Sequence, residues 1–222
     1  MTPRGSALAA AAVALALGLS GCGSASPSSP PSGVDGLVIP TPDPRPADFV
    51  DTVDSPWFPL APGTTWEYDA TPDTPARDLT LLAEEGPEVA GVPTTALVRT
   101  DSAGVATRDL YAQDRAGNVW WFGREGEWLA GTAGAEAGLA MPAHPRRGDG
   151  FRMALAPGVI AHAEVAAVDR ELDVPLGHYR PVVVLDVTEG AAEHLAQFAR
   201  GTGLVKTDDA ALVRTARARL RR

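Results

Sequence analysis

The chain has 222 residues, 45% of them hydrophobic, and sets 19 Lys and Arg against 28 Asp and Glu for a formal net charge of −9. Enough apolar material is present for one ordinary core, while the acidic balance argues against a nucleic-acid face, which needs clustered cations to release counterions. Cys22 is the only cysteine, so no intramolecular disulfide can form.

Residues 1–21 read as a signal peptide. Arg4 precedes an apolar run from Ala7 to Leu19, shorter than the roughly 20 apolar residues of a permanent transmembrane helix. Leu19-Ser20-Gly21-Cys22 closes that run and resembles the lipobox of bacterial lipoproteins. The resemblance implies a diacylglycerol on Cys22, loss of the peptide before it, and a protein held at the outer face of the cytoplasmic membrane. Two or three acyl chains anchor firmly where one does not. The other reading of Cys22 is a stray thiol behind an ordinary secretory signal. Removing residues 1–21 takes away Arg4 alone among charged groups, leaving 18 basic and 28 acidic side chains.

Residues 22–47 form the expected tether, in which Pro27, Pro30, Pro31, Pro40, Pro42, Pro44 and Pro46 forbid a helix or a central strand. As a coil it spans about 25–30 Å. A single β domain is expected over residues 48–222.

Within that domain the chain repeats itself at an offset of 85 to 87 residues, over about 60–130 and 146–213. Gly63-Thr64-Thr65-Trp66 aligns with Gly148-Asp149-Gly150-Phe151, Leu79 to Glu85 with Val165 to Glu171, and Ala96-Leu97-Val98 with Val182-Val183-Val184. In each half, short Val-, Leu-, Thr- and aromatic-rich runs alternate with Gly, Pro, Asp and Asn clusters, the pattern of antiparallel strands. Five or six strands per half are expected, with Asp114 to Asn118 as a hairpin loop. The fold class is therefore mostly β: two duplicated meanders making a large curved antiparallel sheet, a partly open barrel or a sandwich. Glu189 to Arg200 divides the signals, since propensity favours a helix and the repeat favours a strand; we follow the repeat. Gly131 to Gly138 reads as a loop or a short helix. Arg214, Arg217, Arg219, Arg221 and Arg222 read as a solvated tail or strand edge.

Asp54-Ser55-Pro56-Trp57-Phe58-Pro59-Leu60-Ala61-Pro62-Gly63-Thr64-Thr65-Trp66, Tyr111-Ala112-Gln113-Asp114 with Gly117-Asn118-Val119-Trp120, and Gly201-Thr202-Gly203-Leu204-Val205-Lys206 resemble a family of actinobacterial lipoproteins and secreted proteins. That family has no assigned activity, so the resemblance implies an address and no catalytic residue. Lipid-carrying envelope lipoproteins share the anchor and size, an analogy of fold only.

The side chains favour no reaction. His144, His162, His178 and His194 lack metal-binding spacing, His162 and Glu164 being the nearest to a ligand pair. Asp48, Asp51 and Asp54 lack the glycine and distal Glu of a calcium loop, and read as a solvated or turn-capping run. Glu84-Glu85 and Asp208-Asp209 are adjacent pairs, which in strands point to opposite faces. No metal, cofactor or catalytic group is expected. The aromatics carry more. Trp120 and Trp121 place indoles on opposite faces of one strand, and with Val183 and Val184 they are the candidate lining of an apolar pocket. The expected role is non-catalytic binding of a lipid-like ligand or an envelope partner; a structural or protein-interaction role and an envelope hydrolase are the alternatives.

Overall fold

The computed structural model describes residues 45–71 and 78–217. The expected signal peptide with Leu19, Ser20 and Gly21, the lipidation site Cys22, the tether as far as residue 44, and Arg219, Arg221 and Arg222 lie outside the described residues.

A 3₁₀ turn at Pro46–Asp48 leads into fourteen strands. The first seven are β1 (Phe49–Val50), β2 (Thr64–Ala70), β3 (Leu79–Val89), β4 (Val92–Asp101), β5 (Ala106–Asp114), β6 (Val119–Arg124) and β7 (Trp128–Leu129). Then come β8 (Glu136–Met141), β9 (Gly150–Ala156), β10 (Val159–Val174), β11 (Gly177–Glu189), β12 (Ala192–Ala199), β13 (Gly203–Thr207) and β14 (Ala210–Arg217). All pairings are antiparallel, in the order β1-β5-β4-β3-β2-β14-β13-β12-β11-β10-β9-β8-β6-β7 with a further β5–β6 pairing. That last pairing returns the sheet on itself, so twelve strands close a hydrogen-bonded ring, to which β1 and β7 attach.

The two meanders share a plan. β2 begins at Thr64 and β9 at Gly150, and β5 begins at Ala106 and β12 at Ala192, each pair 86 positions apart. Round the ring, β14 with β2 to β6 forms one run of six strands and β8 to β13 the other. The ambiguous segment after Glu189 is strand β12, paired to β11 on one side and β13 on the other. Two ladders of backbone bonds override local helix preference there. Gly131 to Gly138 is a turn followed by the start of β8, and no helix forms in it.

Turn chemistry fixes the hairpins. Ala90 and Gly91, between β3 and β4, both adopt positive φ (50° and 78°), as a two-residue primed turn requires. Asp114 closes the β5–β6 loop, its carboxylate accepting from Asn118 N at 2.9 Å, Asn118 Nδ2 at 2.8 Å and the Trp120 indole at 2.9 Å.

The Pro-Trp-Phe-Pro segment fills one end of the ring. Val53, Trp57, Phe58 and Leu60 are buried, each such side chain contributing about 1.5–3 kcal/mol. The Phe58 ring lies 5.1 Å from Tyr111 on β5 and 5.5 Å from Phe198 on β12, so it joins both halves. Gln113 fastens this plug: its Oε1 accepts from Asp54 N at 2.9 Å and Ser55 N at 2.7 Å, and its Nε2 donates to Asp54 Oδ1 at 2.7 Å. Gly201 N donates to Pro56 O at 2.7 Å from the other half.

Two outcomes follow. Gln113→Ala leaves the Asp54 and Ser55 amides unpaired and should cost about 2–3 kcal/mol in urea unfolding. Ala90→Asn should stabilise by about 0.5–1 kcal/mol, because Asn tolerates the left-handed turn conformation better than Ala.

Candidate functional site

A cavity of about 640 Å³ lies inside the ring, bounded at one end by Phe58 of the plug. Its wall follows from strand alternation. On β11, Leu185 and Val187 face inward with Glu189 at the strand end, and on β12 Ala196 and His194 take the paired positions, with Phe198 on the same face. Leu81, Leu97, Tyr111 and Trp121 supply the facing wall from β3 to β6. The mouth is made by strand ends and turns, with Glu193, His194, Asp208 and Asp209 on one side and Arg99 on another.

One polar cluster is built into the wall. Arg124 Nε donates to Asp109 Oδ1 at 2.8 Å, while its Nη1 lies 3.0 Å from Glu189 and 3.6 Å from Glu127. The Arg124–Glu189 pair crosses the interior from β6 to β11, which are not neighbours in the sheet. The Arg124 guanidinium also sits over the Trp121 ring, 5.2 Å from its centroid. The Trp121 indole donates to Asp109 at 3.1 Å and to the Gly123 carbonyl at 2.9 Å, and Trp128 packs edge-on at 5.0 Å.

Gly123 makes this possible. Its φ is 141°, and a Cβ there would lie 2.3 Å from Trp128 O, so only glycine lets β7 pass this close.

Burial pushes the Asp109 carboxyl above its usual range, against the opposing pull of Arg124. Burial disfavours charge on Arg124 too, but Asp109 and Glu189 outweigh it and hold its proton more firmly than usual. Burial, reinforced by Asp109, raises the Tyr111 phenol well above its ordinary value.

The candidate residues separate clearly. Trp121 lines the cavity. Val183, fully buried and paired with Phe198, shares the inward face with Leu185 and Val187 but lies outside the lining. Trp120 and Val184 belong to the opposite face; Phe49 covers Trp120 and Phe122 there, with ring centroids 6.4 and 5.1 Å away. Asp208 and Asp209 depart from the strand expectation, since both occupy the turn between β13 and β14 and both reach the mouth. Glu84 is in a strand and pairs with Arg108 at 2.9 Å. Arg99, Asp109 and Arg124 were missed. The available signal was a charge alternating with apolar residues on one strand face, as in Leu97-Arg99 and Asp109-Tyr111.

The other titratable groups have local roles. Asp48 accepts from Arg45 N at 3.0 Å, and that bond holds its carboxyl below the ordinary range. Asp54 belongs to the plug contact with Gln113. His178 Nδ1 lies 2.9 Å from Asp173, and His162 and Glu164 are exposed along β10. Among the described residues no group of three or more His, Cys, Asp or Glu side chains could hold a metal ion, and no helix is long and apolar enough to cross a membrane.

No protein-family model and no curated protein matches the chain. Among solved structures, one from Bacteroides fragilis described as a "putative exported protein with YmcC-like fold" is similar, at 12% identity over 73% of this chain and all of that one, with a TM-score of 0.42.

Asp109→Ala removes the most buried partner of Arg124 and one of the two acceptors of the Trp121 indole, and should cost about 2–4 kcal/mol. Glu189→Ala leaves Arg124 its Asp109 partner and should cost about 1 kcal/mol or less. Thermal unfolding of the two variants beside the parent protein reads the difference.

Proposed function

We propose that this protein is a lipid-anchored, extracytoplasmic binding module whose cavity takes up one apolar or amphipathic small molecule and performs no chemistry on it. The cavity carries this reading. Its volume of about 640 Å³ falls within the roughly 300–1,000 Å³ of small-molecule sites, which are mostly apolar with a few placed polar groups. Aliphatic and aromatic side chains of the two meanders form most of the wall, and the plug leaves access at the opposite end.

Binding is favoured over hydrolysis by the state of Asp109. That carboxylate is committed to Arg124 and to the Trp121 indole, an arrangement that fixes the wall instead of freeing a base. The lipobox-like Leu19-Ser20-Gly21-Cys22 supports acylation at Cys22, and the proline-rich tether would let the domain work near the membrane surface. The acidic charge supports a guest other than nucleic acid.

Residues 34–222, exported to a bacterial periplasm without the anchor, should carry a reproducible extra mass in native mass spectrometry that partitions into organic solvent. Ala196→Trp, which projects an indole into the cavity, should reduce the occupied fraction at least fivefold while the domain stays folded. A bare mass in repeated preparations, or equal loading of the variant, would overturn the reading.

A further inference from the structure

The cavity wall presents polar groups that the protein itself does not use. Arg99, on β4, is exposed at the mouth and makes no hydrogen bond or ion pair among the described residues, although it shares the inward face with Leu97 and lies opposite Leu81. The other arginine of the wall, Arg124, is spent on Asp109, Glu189 and Glu127. Tyr111, on neighbouring β5, lines the same wall; its hydroxyl makes no protein hydrogen bond and is not sealed off from the cavity. By contrast the Tyr68 hydroxyl is occupied, donating to Leu204 O at 2.8 Å. Arg99 is close enough to both phenols to oppose the effect of their burial.

The mouth is therefore electrically uneven. A guanidinium with no partner among the described residues stands on the β4 side, while Glu193 and Asp208 stand on the β12–β13 side of the ring. Asp208 is engaged by Leu195 N at 2.8 Å. Guanidinium is the side chain best shaped for a carboxylate or phosphate, and it gains strength beside a low-dielectric wall.

We infer that the guest is a single-chain amphiphile with one anionic head, a carboxylate or a phosphate monoester. Its tail packs along Leu97, Trp121, Leu185 and Phe198, and its head pairs with Arg99. The deeper Tyr111 hydroxyl donates to a second oxygen of the guest. This inference rests on the cavity being a binding site, as proposed above.

The test uses mature chain 22–222 with Cys22→Ser, so that no acyl chain of its own competes. Intrinsic tryptophan emission is titrated with dodecanoate, dodecyl phosphate and neutral dodecanol, each below its aggregation limit, and with acetate and inorganic phosphate as tail-free anions. The expected result is that both anionic amphiphiles bind at least about tenfold tighter than dodecanol, the scale of one charge-assisted contact. Arg99→Gln should remove most of that advantage without changing dodecanol binding, and Tyr111→Phe should weaken all guests that carry a second oxygen. Arg99 has no partner to lose among the described residues, so the variant should keep the parent melting temperature. Equal binding of dodecanol and dodecanoate, or no effect of Arg99→Gln, would overturn the anionic head while leaving the cavity reading in place. Displacement by acetate or phosphate alone would replace the amphiphile with a simple anion. Failure of all three dodecyl compounds to bind would overturn both the inference and the function it rests on.

Discussion

A ring of twelve hydrogen-bonded strands encloses more space than its own inward side chains can fill, and the rest of the structure answers that constraint. About eight strands give an interior that side chains just occupy, and larger rings leave a lumen. Here the lumen is divided. The segment from Val53 to Leu60 turns in and fills one end with Trp57, Phe58 and Leu60, held by the Gln113 amide and by Gly201. What lies beyond Phe58 is the cavity.

The plug and the charge cluster also keep the two meanders in register. Phe58 touches Tyr111 in one half and Phe198 in the other, and Arg124 reaches across to Glu189. A sheet ring alone resists shear weakly, because its pairings at β6–β8 and β13–β14 are short. Contacts through the interior supply what those short ladders lack. The same contacts position the site, since the Arg124–Asp109–Trp121 unit both braces the ring and shapes its wall.

Much of the architecture was legible in the sequence because it rests on local pattern. Alternation and turn residues marked the strands, and the repeat identified β12 where Ala, Glu and Gln pointed to a helix. Trp121 was legible as a cavity residue for the same reason, as one of two adjacent indoles that must face different environments. Trp120 found its cover in Phe49, a residue with no local signal linking it to β6. Ring closure depended on β5 pairing with β6 while β6 also pairs with β8, a partnership that no spacing encodes. Arg99, Asp109 and Arg124 come from three different strands, and their convergence becomes visible only when the ring is assembled.

The central claim is that an apolar guest lies against Trp121 inside the ring. The most direct measurement is quenching of tryptophan emission by an amphiphile brominated along its tail, compared between the parent protein and Trp121→Phe. The account predicts strong, saturable quenching in the parent that is clearly reduced in the variant, leaving the part carried by neighbouring Trp128, since Trp120 lies on the far face of β6. Equal quenching in both proteins, or quenching that never saturates, would place the guest on the outer surface and contradict it.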